Sequence, residues 1–112
     1  MDFEIGVRVF GFTEDPTWHR YLAPRSGPYA GRDGREGPPP FSTDIAEAFQ
    51  VVEAMRAKAG RDGLVVCFEN AGEGKTWAAY FDMPHGYGEA DADTLPLAIC
   101  LAALKALEEK AA

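Results

Sequence analysis

Residues 42–60 read Ser-Thr-Asp-Ile-Ala-Glu-Ala-Phe-Gln-Val-Val-Glu-Ala-Met-Arg-Ala-Lys-Ala-Gly. Ile45, Ala48, Phe49, Val52, Met55 and Ala59 recur at the spacing of one helix face, which leaves Glu47, Gln50, Glu53, Arg56 and Lys58 mostly on the others. Ser42, Thr43 and Asp44 each carry an oxygen able to accept from the first free N–H groups, and Gly60 stops the pattern. A helix over about 43–59 follows. Downstream, the run Leu64 to Glu69 and the alternating run Lys75 to Asp82 flank Asn70-Ala71-Gly72-Glu73-Gly74, which has hairpin-turn chemistry. The two runs are expected to pair antiparallel. A second main helix is expected over about 94–109, where Pro96 falls in a first turn that has no internal N–H bonds to lose. Its middle, Leu97 to Leu107, is apolar almost all round and needs cover on more than one face. Covering it with a second copy of the chain would make a homo-oligomer, with Leu97, Leu101 and Leu104 at the interface.

The N-terminus admits two readings. Phe3, Ile5, Val7 and Val9 alternate as in a strand, whereas Phe3, Val7 and Phe10 fit a helix ended by Gly11. From Ala23 to Pro40, nine of eighteen residues are Gly or Pro, so no regular element can persist there. At 112 residues the chain is expected to be one domain, 1–112, carrying this Gly/Pro/Arg-rich loop at about 23–40.

Eighteen acidic against eleven basic residues leave a net charge of −7, which disfavours general affinity for DNA, RNA or anionic lipid. No apolar run approaches the roughly 20 residues of a membrane span. Asp2, Glu4 and Arg8 interrupt any signal-peptide pattern, so the chain is expected in the cytoplasm. Cys67 and Cys100 lie in apolar runs without paired spacing and are expected to be reduced core thiols.

Three stretches and one tryptophan resemble family signatures. Pro40-Phe41-Ser42-Thr43-Asp44-Ile45-Ala46-Glu47-Ala48-Phe49-Gln50-Val51-Val52-Glu53 resembles the central motif of the phage ABA-sandwich domain family, and Ala90 through Leu107 resembles that family's closing helix. Val9-Phe10-Gly11-Phe12 is similar to its early Val-Met-Gly-Trp signature, and Trp77 falls where the family tends to have a tryptophan. The resemblance implies an α+β fold, an α/β/α layered sandwich with a small antiparallel sheet, and a short N-terminal helix rather than a strand. It also implies a phage origin, hence the cytoplasm of a bacterial host. It carries no established activity. Residues 13–39 depart from the family pattern.

Catalytic and metal readings are weak. Gly74-Lys75-Thr76 imitates the end of a phosphate-binding loop, but Glu69 stands where that loop needs glycine and no helix follows. His85, Glu89, Asp91 and Asp93 match no calcium spacing, and Asp91 and Asp93 read more simply as caps of the last helix. His19 and His85 lack the partners zinc requires. Ser26, Ser42 and Cys67 have no recognisable base, and GxSxG is absent. No metal, cofactor or enzymatic activity is therefore expected.

The basic loop is the sharper signal. Residues 16–40 balance at +2 while the remaining residues carry −9. Arginine forks bind phosphate bidentately and aromatic rings stack on bases, so Trp18, Arg20, Tyr21, Arg25, Tyr29, Arg32 and Arg35 are the candidate ligand-binding residues for a small anionic nucleotide-type ligand. Sequestration of such a ligand, countering host defence, is the functional expectation. The alternatives are a module that engages a host or phage protein, or a small hydrolase. The plain reading is a solvated loop, with Trp18 and Tyr21 in the core.

Overall fold

A computed structural model describes residues 1–15, 20–22, 27–30, 37–60, 65–70, 76–84 and 86–111. The chain opens with a helical turn α1 (Asp2–Ile5) that continues as a π-helical segment, Gly6–Phe10. The helical reading of the N-terminus is therefore the correct one. Gly11 closes it at φ 79°, a left-handed conformation that a side chain would disfavour, and the Gly6 carbonyl accepts from the N–H groups of Gly11 and Phe12. Two short strands, β1 (Thr13–Asp15) and β2 (Arg20–Leu22), pair antiparallel.

Helix α2 spans Ile45–Ala59. Of its three possible caps Asp44 is the one used: its Oδ1 accepts from the N–H of Ala46 at 2.8 Å and of Glu47 at 3.3 Å. The buried stripe Ala48, Val51, Val52 and Met55 faces the core. Phe49, expected in that stripe, is 45% exposed and turns its ring toward Phe68 instead.

The sheet has three antiparallel strands in the order β3 (Val65–Asn70), β4 (Trp77–Met83) and β5 (Gly86–Ala92). The predicted hairpin is present, with Cys67 opposite Tyr80 and Phe68 opposite Ala79. The third strand was not expected. Asp91, expected as a cap of the last helix, lies within β5 opposite Ala78, so it is a strand residue and not a helix cap.

Helix α3 (Leu95–Ala111) lies across β4 and β5 and packs against α2 and the N-terminal helical segment on its other side. Ala98, Ile99, Cys100, Ala102, Ala103 and Ala106 are all buried, so one chain already covers most of the apolar girth of α3. Against β5 the approach is very close. A Cβ built on Gly88 would overlap the Ala102 carbonyl oxygen and the Ala106 backbone nitrogen, and would meet the Ala106 Cα at 3.0 Å. Ile5, Val9, Phe41, Val51, Met55, Phe81 and Ile99 complete the core. The architecture is the layered α+β sandwich anticipated. The inner sheet face, with Ala79, Phe81, Gly88 and Ala90 buried, meets the helices, while Glu69, Asp82, Tyr87, Glu89 and Asp91 alternate with these and are exposed.

Burial pushes the Cys100 thiol up to about 12, with the negative charge of Asp2 acting in the same direction. So little thiolate forms at neutral pH that Cys100 is expected to resist maleimide for hours in native buffer and to react within minutes in denaturant. Rapid native labelling, mapped to Cys100 by peptide mass spectrometry, would contradict this. The Cys67 side chain lies outside the described residues.

Candidate functional site

A cleft of about 490 Å³ opens between the π-helical segment, the turn at Gly27–Tyr29 and helix α2. Its apolar wall is Val9, Phe10, Pro28, Tyr29, Ala54 and Ala57, and its polar groups are Gln50, Glu53 and Lys58. The α2 contribution is a second stripe at helical spacing, one turn-face round from the core stripe, on which Ala54 and Ala57 are small enough to leave space.

An aromatic cluster holds the cleft in shape. Phe10 stacks on Phe41 with ring centroids 5.1 Å apart and meets Tyr29 edge-on at 5.0 Å. Phe12 and Phe41 each approach Tyr29 at 5.7 Å, both in edge-to-face geometry. The Tyr29 hydroxyl donates to the Glu47 carboxylate on α2. Tyr29 is thus tied down by three rings and a charge-assisted hydrogen bond, which fixes the turn against the helix. Its ring belongs to the cleft wall and to the core at once. At the rim Glu53 is paired with Arg56 at 3.7 Å. Such an arrangement suits binding by apolar and aromatic contact with a polar edge. Among the described residues, no three of the His, Cys, Asp and Glu side chains are grouped so as to hold a metal ion.

Of the ligand-binding residues proposed from sequence, Tyr29 lies in this cleft. Arg20 and Tyr21 lie on β2, opposite Asp15 and Glu14, with only their backbone described. Trp18, Arg25, Arg32 and Arg35 lie outside the described residues, as do His19, Lys75 and His85. On α3, Leu104 is buried within its own chain, and Leu97 and Leu101 are partly buried. The sequence reading did not assign Phe10, Gln50, Ala54 or Lys58 to a site. The signal available was the stripe Gln50, Ala54, Ala57 and Lys58 beside the core stripe.

These features define a small α+β domain with an aromatic-walled cleft. A family model, the phage ABA sandwich domain, matches residues 5–104, and the chain belongs to that family. Its fold is similar to the crystal structure of a phage protein from Bacillus cereus, with a TM-score of 0.61 and 22% sequence identity, covering 95% of this chain and 91% of that one. No curated protein matches the sequence. Among the described residues, no helix is long and apolar enough to cross a membrane.

Proposed function

We propose that this phage-family protein is a non-enzymatic binding protein of the bacterial host cytoplasm, which sequesters a small anionic nucleotide-type ligand at the cleft between the π-helical segment and α2. The observation that carries the reading is that the turn Gly27–Tyr29 forms one wall of that cleft. In sequence, Arg25 and Arg32 flank this wall two residues before Gly27 and three after Tyr29. Aromatic and apolar surface for a base, with arginines close to that wall in sequence for phosphate, is the combination such a ligand requires. Withdrawing a host nucleotide signal in this way would counter host defence.

The test is calorimetry with a panel of mono-, di- and cyclic nucleotides. Each charge-assisted contact is worth about 1.5–3 kcal/mol, so an Arg25→Ala/Arg32→Ala double variant that still folds is expected to bind at least about a hundredfold more weakly. Failure of the whole panel to bind would remove the reading.

A second reading, a protein-interaction or self-association module, is favoured by one observation. Phe3 and Val7 on the N-terminal helical segment, and Ile45 and Phe49 on α2, are large apolar side chains left exposed in pairs one helical turn apart. A homo-oligomer built on these pairs would not need Leu97, Leu101 or Leu104 at its interface. Sedimentation of the protein with Phe3→Glu and Phe49→Glu separates the two readings, since nucleotide binding is insensitive to both substitutions.

A further inference from the structure

The outer face of the sheet has chemistry of its own. The row at one end of this face runs Glu69 on β3, Ala78 on β4 and Asp91 on β5, each directly opposite the next. Beside it lie Tyr80 and Glu89, opposite each other, and then Asp82 and Tyr87. Because Ala78 is only a methyl group, the face has a depression of about 190 Å³ there, bounded by Glu69, Tyr80, Tyr87 and Glu89. The Tyr80 and Tyr87 rings stack with centroids 6.0 Å apart. The Tyr87 hydroxyl donates to the Glu89 carboxylate at 2.7 Å, which pushes its phenol up to about 12. Lys105 donates to the backbone carbonyl of Glu89 at 3.1 Å rather than to its carboxylate. Among the described residues, no ion pair involves Glu69, Asp82, Glu89 or Asp91.

We propose that this sheet face is a docking surface for an extended, arginine-rich polypeptide segment, with one guanidinium seated over Ala78. Charge complementarity selects the occupant. A cation in the depression over Ala78 has the carboxylates of Glu69 and Glu89 at its border, with Asp91 opposite Ala78 in register, and its planar face can meet the Tyr80 ring, a combination that suits guanidinium better than ammonium. The remaining carboxylates follow at strand spacing. Alternate side chains of an extended peptide repeat every ~7 Å, so cations two residues apart can reach successive rows. A free polyamine has the charge but neither the planar group nor that repeat.

The experiment is fluorescence polarisation of the full chain with a labelled peptide alternating arginine and serine, alongside the lysine–serine peptide and spermine as competitors. Saturable binding is expected, with the lysine peptide several-fold weaker and spermine competing poorly. Glu69→Gln is expected to weaken binding about tenfold, whereas Glu4→Gln, which removes the same charge from α1, changes it less than about twofold. Tyr80→Leu leaves every charge in place and is expected to weaken binding about fivefold. Equal losses for Glu69→Gln and Glu4→Gln, or no loss for Tyr80→Leu, would show diffuse charge attraction and overturn the proposal. So would spermine competing as well as the peptide, or a salt-sensitive dimer in which a second copy's basic loop already fills the face.

Discussion

Replacing Gly88 with alanine is expected to cost about 3 kcal/mol or more of folding stability, at the upper end of what overpacking does. The reason is what the new methyl group would meet. It would fall on the Ala102 carbonyl oxygen and the Ala106 backbone nitrogen, and helix backbone, unlike the end of a flexible side chain, cannot turn aside. Helix α3 would have to lift off β5, opening the interface that buries Ala98, Ala102 and Ala106. A domain of this size holds about 5–15 kcal/mol in total, so Gly88→Val is expected not to fold at all. Urea denaturation followed by circular dichroism reads the result as a lower midpoint at unchanged slope. A Gly88→Ala protein within about 1 kcal/mol of the parent would show that α3 and β5 do not approach so closely.

Phe41→Ala is expected to lose about 3–5 kcal/mol, the range for emptying a large aromatic site in a core. Phe41 is fully buried, stacked on Phe10 and edge-on to Tyr29, so it joins the N-terminal helical segment, the turn at Gly27–Tyr29 and the approach to α2. Nothing in those three segments can collapse into the gap without moving Tyr29 from the Glu47 carboxylate. Phe41→Leu keeps most of the volume and is expected to lose about 1.5 kcal/mol or less. The same melts decide it. A loss below about 1 kcal/mol for Phe41→Ala would mean that the aromatic cluster does not hold these segments together, and the cleft wall would lose its support with it.

The extents of α2 and α3 were legible in the chain to within two residues, and so was the hairpin of β3 and β4. Each carries its own periodicity and its own stop signals, in Asp44 and Gly60 or in the Gly-rich turn after Asn70. The family resemblance decided the N-terminus, where alternation alone reads as a strand and Phe3, Val7 and Phe10 also fit a helix. Tertiary structure alone decided β5. Gly-Tyr-Gly-Glu-Ala-Asp-Ala has poor strand propensity, and its inward positions are glycine and alanine, so hydropathy shows no alternation. It is a strand because small residues let α3 sit directly on it, a condition set by a helix that begins beyond its end. The cleft was hidden for a related reason. Tyr29 belongs to a Gly/Pro-rich stretch with no period, and only rings from Phe10, Phe12 and Phe41, distant in sequence, give it a fixed place. Local pattern is enough where a segment's own side chains determine its conformation. Where a neighbour's shape determines it, the chain must first be folded.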